Sequence, residues 1–82
     1  MKIVIQNLPR DVSEDEIREA LRPFTPAENP VEKITLIKEG SEPAALIDLE
    51  MSRVGAGALA ARIDGHFYRG QRLHVWVPVL DD

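Results

Sequence analysis

The sequence has no cysteine, so a disulfide framework, a thiolate metal cluster and a cysteine nucleophile are all excluded. Histidine is nearly absent too. His66 and His74 are the only two, and no His-x-x-Glu-His, nucleophile-elbow or phosphate-loop pattern occurs. Asp64 and His66 flank Gly65 but lack the third ligand that a metal centre needs, so they read as a helix stop and a loop residue. Gly55-Ala56-Gly57 falls inside a predicted helix and not after a strand, where a phosphate-binding loop would lie. No active site, cofactor site or metal site is expected, and the chain does not read as an enzyme. The opening residues, MKIVIQNLPRD, lack the long apolar run of a signal peptide, which makes a cytoplasmic location without membrane attachment the expectation. Aromatic residues amount to 5%: Phe24, Phe67, Tyr68 and Trp76.

Positive charge is also in short supply. Ten Lys and Arg face 14 Asp and Glu, a net charge of −4, which argues against the diffuse attraction to phosphate that strongly basic nucleic-acid binders use. By segment, residues 1–30 carry 4 positive and 6 negative charges, residues 31–50 carry 2 and 5, and residues 51–82 carry 4 and 3. Only the last segment is net positive. The 82 residues, 44% hydrophobic and 29% charged, suit one small globular domain over 1–82, since a second core would leave each half too small to offset chain entropy.

Lys2-Ile-Val-Ile-Gln6 is short and β-branched and runs into the turn residues Asn7-Leu8-Pro9-Arg10-Asp11, which predicts a first strand. Ser13 before Glu14-Asp15-Glu16 predicts a helix start: its hydroxyl accepts from the first turn, Glu16 returns the bond, and the acids suit the positive end of the helix dipole. Ile17, Ala20, Leu21 and Phe24 recur at helical spacing, and Pro23 marks the end. A proline-bearing loop over 25–30 follows. Val31 to Lys38 and Ala44 to Leu49 are predicted to form a hairpin across Glu39-Gly40-Ser41-Glu42-Pro43. Ser52 caps a second helix carrying Ala56, Leu59, Ala60 and Ile63, weakened locally by Gly55 and Gly57 and stopped at Asp64-Gly65. After the aromatic segment His66-Phe67-Tyr68 and a turn at Gly70, Leu73, Val75 and Val77 alternate with His74 and Trp76 in a fourth strand that Pro78 closes.

The order βαββαβ is α+β, ferredoxin-like: a four-stranded antiparallel sheet with both helices on one face and the other face open. Alternation assigns Ile3, Ile5, Ala45, Ile47, Leu73 and Val75 to the helix side. Val4, Gln6, Ala44, Leu46, Asp48, His74 and Trp76 then face outward, joined by Thr35 and Ile37.

Ile3-Val4-Ile5-Gln6-Asn7-Leu8, Asp64-Gly65 and Gly70-Gln71-Arg72-Leu73-His74-Val75 resemble the first-strand signature, the second-helix exit and the last strand of the RNA recognition motif. The resemblance spans the chain. It implies binding of single-stranded RNA on the open sheet face, where that family stacks bases on aromatic side chains of the middle strands. Here the corresponding third-strand stretch is Glu42-Pro43-Ala44-Ala45-Leu46-Ile47-Asp48-Leu49, so the basic residue is Glu42, the glycine is Pro43 and the open-face aromatics are Ala44 and Leu46. The first-strand stacking position is Val4. Among open-face residues only Trp76 is a large aromatic, so weak binding is expected.

On that reading Trp76 stacks a base, Gln6 and Asp48 read base edges, and Lys2, Lys33, Lys38 and Arg72 meet phosphates at the rim, with Val4, Leu46 and His74 inside the footprint. Trp76 has a second place open to it, at the sheet edge or under the tail Val79-Leu80-Asp81-Asp82. The alternative is a protein-interaction domain on the same scaffold, monomeric or weakly homodimeric. Its surface would be the aliphatic sheet face or the acidic first helix, Glu14, Asp15, Glu16 and Glu19. The helix side also resembles splicing-factor variants of the motif that grip a tryptophan-bearing peptide with an acidic first helix and an Arg-x-Phe loop. Here that loop is His66-Phe67-Tyr68, in which Tyr68 is expected to fill the core and Phe67 to cover the loop in part.

Overall fold

A computed structural model describes residues 1–26, 28 and 30–79. The elements are β1 (Lys2–Gln6), α1 (Glu14–Leu21), a 3₁₀ turn (Arg22–Phe24), β2 (Val31–Ile37), β3 (Ala44–Leu49), α2 (Arg53–Ile63), β4 (Phe67–Tyr68), β5 (Gln71–Arg72) and β6 (His74–Trp76). One antiparallel sheet runs β2-β3-β1-β6, and β4 and β5 form a separate two-stranded ribbon.

Both helices begin as their sequences predict. The Ser13 hydroxyl accepts from the Glu16 amide, and the Glu16 carboxylate accepts from the Ser13 amide, which closes a capping box. Ser52 accepts from the Gly55 amide at the start of α2. Pro23 does not end the helical path abruptly. It is accommodated in the first turn of the 3₁₀ segment, where its missing N–H costs little.

The core lies between the helices and one face of the sheet. Ile3, Ile5, Ala45, Ile47, Leu73 and Val75 are all buried there with Ile17, Leu21, Ala56, Leu59, Ala60 and Ile63 from the helices. The predicted parity of the strands therefore holds, and no charged or polar residue is buried among the described residues.

Three features differ from the sequence reading. β2 ends at Ile37 and not at Lys38, and the register of β2 on β3 shifts between Val31 and Lys33, a bulge that accommodates Glu32 as an extra residue. The last strand spans only His74–Trp76. Leu73 is instead held by the chain leaving α2: its amide donates to the His66 carbonyl and its carbonyl accepts from the Gly65 amide.

The third difference is the β4–β5 ribbon. Its turn places Arg69 (φ 50°) and Gly70 (φ 82°) in left-handed conformations, the pattern of a tight two-residue hairpin. Glycine adopts this readily and arginine does not. Arg69 is held there by ion pairs to Asp11 at 3.3 Å and Glu16 at 3.6 Å and lies over the Tyr68 ring at 5.4 Å. The ribbon is fastened to the end of β1 as well. Gln71 donates to the Asn7 carbonyl at 2.8 Å, and Asn7, itself at positive φ, donates to the Arg72 carbonyl at 2.9 Å.

Asp64 does more than stop α2. Its Oδ1 accepts from the Val75 amide at 2.9 Å, closing the outer edge of β6, whose donors would otherwise have no strand to pair with. Asp64→Ala is expected to lower unfolding free energy by about 1–2 kcal/mol, because a part-buried donor loses its acceptor. Asp64→Asn keeps a side-chain carbonyl and is expected to retain most of that stability. Urea denaturation of both variants checks this, and equal losses would refute the role given to the acceptor.

Candidate functional site

The open face of the sheet is built of cross-strand rows fixed by the registers. One row runs Thr35, Leu46, Val4, Trp76 across β2, β3, β1 and β6. The next runs Ile37, Ala44, Gln6, His74, and on the other side lies Lys33, Asp48, Lys2. All nine residues expected to face outward fall into these rows because side chains on one strand share a face at every second position.

Trp76 is 41% exposed and Ile37 is 40% exposed, so the indole is neither wedged between helices and sheet nor fully covered. The tail residues Leu80, Asp81 and Asp82, under which it could have packed, lie outside the described residues. Val4, Leu46 and Gln6 are half-buried, and His74 is exposed. Ala44 is buried although it faces the open side: it is absent from the core cluster, and it stands between Gln6 and Ile37 in its cross-strand row.

The polar groups divide unevenly. Asp48 sits between two lysines in its row, and its carboxylate pairs with Lys2 Nζ at 3.3 Å. Lys33, directly opposite Asp48 on the other side, is exposed. Lys2 and Lys33 are the only Lys or Arg on the open face of the four paired strands.

The other two expected rim cations lie elsewhere. Lys38 donates to the Val12 carbonyl at 3.1 Å, tying the end of β2 to the segment before α1. Arg72 is in the β4–β5 ribbon and not in the main sheet, and its guanidinium lies against Gly65, about 3.5 Å from where a β-carbon on that glycine would stand. The expected set Lys2, Val4, Gln6, Lys33, Leu46, Asp48, His74 and Trp76 thus shares one face, whereas Lys38 and Arg72 do not join it.

The helix side carries a second feature. Ile17, Leu21, Phe24, Ile63, Phe67 and Tyr68 help to line an apolar cleft of about 80 Å³. Phe24 meets His66 edge to face at 5.0 Å, and Tyr68 packs against the core as expected. Phe67 is 71% exposed and does not cover the loop. A neighbouring hollow shares Ala20 and Tyr68 with the cleft and is rimmed by Asp15, Glu16 and Glu19. Sequence reasoning found the acids and the aromatic loop but not the cleft, whose walls come together only when the ribbon folds onto α1.

No family model matches the sequence. No curated protein matches it either. Solved structures do. The third RRM of Pes4 superposes with a TM-score of 0.78 at 20% identity, covering 99% of this chain and 94% of that one. The C. elegans NONO-1 homodimer gives 0.72 at 26% identity, over 95% of this chain and 28% of that one. The RRM of Rna15, solved with bound RNA, gives 0.74 at 13% identity, over 99% and 85%. Two helices packed on one face of a β2-β3-β1-β6 sheet, matched along nearly the whole chain by these domains, give this protein the fold of the RNA recognition motif.

Proposed function

We propose that the domain binds single-stranded RNA weakly through the open face of its sheet. The observation that carries this reading is Trp76: a large, 41% exposed ring on the open face, beside an amide and an imidazole. Trp76 lies opposite Val4, and Gln6 lies opposite His74. A base stacked on the indole has Gln6 and His74 within reach of its edge, because diagonal neighbours on one face are only about 7–8 Å apart. The bound RNA of the Rna15 domain supports the reading by analogy of fold.

Weakness follows from the count of platforms. Each stacked base contributes about 1–3 kcal/mol, and the positions beside Trp76 are Val4 and, one strand further, Leu46. Trp76→Ala is therefore expected to lower affinity for short single-stranded RNA about five- to a hundredfold, and Val4→Phe, which adds a ring next to the indole, to raise it by a similar factor. Titration followed by amide chemical shifts measures both. Absence of shifts at Val4, Leu46 and Trp76, with affinity indifferent to either substitution, would eliminate the sheet as an RNA site.

A second reading rests on the helix-side cleft. Its volume of about 80 Å³ is far below the roughly 300–1,000 Å³ of a small-molecule site and suits a single apolar side chain. Asp15, Glu16 and Glu19 beside it favour a partner segment with basic flanks. Arg69 and Arg22 offset part of this charge through Glu16 and Glu19, while Asp15 is in no ion pair among the described residues. We propose a basic peptide carrying one large apolar residue as its occupant. A synthetic peptide with one tryptophan between arginines is expected to shift the Ala20, Phe67 and Tyr68 resonances. Binding should weaken with Phe67→Ala or Asp15→Lys. Equal binding of a peptide with glutamates in place of the arginines would contradict the assignment.

A further inference from the structure

Asp48 is expected to read base edges, and its surroundings also suit it to another part. It stands in the middle of the row Lys33, Asp48, Lys2, between the only two cationic side chains on the open face of the paired strands. Its carboxylate is already engaged with Lys2 at 3.3 Å, and both side chains are partly exposed, at 31% for Lys2 and 28% for Asp48. A group in that position presents negative charge to the face where a phosphate backbone would lie.

The sheet geometry makes Lys2 the cation that matters. It is two residues from Val4 on β1, and Val4 lies directly opposite Trp76. Lys2 and Gln6 are therefore the two diagonal neighbours of the indole on the same face. With a base on Trp76 and its edge toward Gln6 and His74, the phosphate on the far side falls toward Lys2. To meet that phosphate, the ammonium must exchange Asp48 for it.

We infer that Asp48 is an intramolecular competitor of RNA phosphate, a carboxylate that occupies Lys2 and lowers the affinity of the sheet for nucleic acid. This rests on the sheet being the RNA site. The ion pair is solvated enough to exchange. Pairs of this exposure are weak and are screened by salt, so it attenuates binding and does not block it. The arrangement also opposes the use of Lys33, since a phosphate placed between the two lysines would sit against the same carboxylate. The open face of the paired strands thus has two cations with the Asp48 carboxylate between them, which opposes their joint action on a backbone.

The consequence is counter-intuitive for a residue in the centre of a binding face, because removing its charge improves binding. Asp48→Asn keeps the size and hydrogen-bonding capacity of the side chain and is expected to raise affinity for a short single-stranded RNA of randomised sequence about two- to fivefold at low salt. One added phosphate contact is expected to steepen the slope of log affinity against log salt by about 0.7, the increment for a single strand. Lys2→Gln in the Asp48→Asn background should return affinity and slope to the wild-type level, whereas Lys2→Gln alone should change either by much less.

The experiment uses the full chain, with wild type, Trp76→Ala, Asp48→Asn, Lys2→Gln and the Asp48→Asn/Lys2→Gln double variant titrated at two salt concentrations. Amide fingerprints recorded without RNA establish that each variant is folded. A gain with Asp48→Asn that disappears in the double variant supports the competitor role. A loss with Asp48→Asn overturns it and returns Asp48 to base reading. An unchanged affinity and slope overturn it as well. Wild-type RNA binding that ignores Trp76→Ala, with no shifts on the sheet, overturns the RNA reading itself, and this shows in a separate arm from Asp48.

Discussion

The central strand β1 fixes what every other surface of the molecule can be. Ile3 and Ile5 are buried in the core shared with the helices, paired with Ile47 and Ala45 on one side and, for Ile5, with Val75 on the other. A slip of β1 by one residue would turn Ile3 and Ile5 to solvent and carry Lys2, Val4 and Gln6 into the core. Each large aliphatic side chain so exposed costs about 1.5–3 kcal/mol, and burying an ammonium without its hydration costs more. Against a total stability of about 5–15 kcal/mol, no slipped register survives. The face opposite the helices is thus determined by default: it holds the residues that alternate with the isoleucines, which here are Lys2, Val4 and Gln6, with valine at the stacking position.

The same economy governs charge. Arg69 spans Asp11 and Glu16, Arg10 donates to the carbonyls of Gly40 and Ser41, and Lys38 donates to that of Val12. Arg18 and Arg22 pair with Glu14 and Glu19 along α1. These cations fasten loops and helix ends. Of the ten, Arg10, Lys33, Lys38, Arg53, Arg62 and Arg72 are in no ion pair among the described residues, and only Lys33 of these is on the open sheet face. A net charge of −4 is therefore less informative than where the positive charges are placed: the open face of the paired strands carries only Lys2 and Lys33, while other basic side chains fasten loops and helix ends.

Much of this was legible from the residues. Ser13 with Glu16 announced the capping box, and the alternation of Ile3, Ile5, Ile47 and Val75 announced the parity, because both are local rules of spacing that tertiary contacts reinforced. The β4–β5 ribbon was not legible. Its strands are two residues each, too short to show a period, and its turn uses Arg69 where Asn or Asp would have signalled a hairpin. The conformation of Arg69 is sustained by Asp11 and Glu16, residues far off in sequence, so nothing local predicts it. Asp48 illustrates the same limit at the candidate site: alternation placed it on the open face, but its engagement with Lys2 depends on the β1–β3 register and had no signature of its own.

The proposed RNA reading has a quantitative consequence for how such a domain would act. One stacked base supplies about 1–3 kcal/mol, and a solvated phosphate contact adds on the order of 1 kcal/mol or less. Their sum approaches the 4.1 kcal/mol of a millimolar complex and falls well short of the 8.2 kcal/mol of a micromolar one. Contacts of that strength select a partner only when something else holds the partner nearby, since linkage turns a weak second encounter into an intramolecular one at about millimolar effective concentration. The two faces of this fold can meet that requirement together. The ribbon that walls the apolar cleft with Phe67 and Tyr68 is hydrogen-bonded through Gln71 and Asn7 to the strand that carries Val4 and Gln6. A peptide seated on one side and a nucleotide on the other would lie on opposite faces of the same rigid layer, each leaving the other's surface free. Weak binding at the sheet is then a property suited to an assembly.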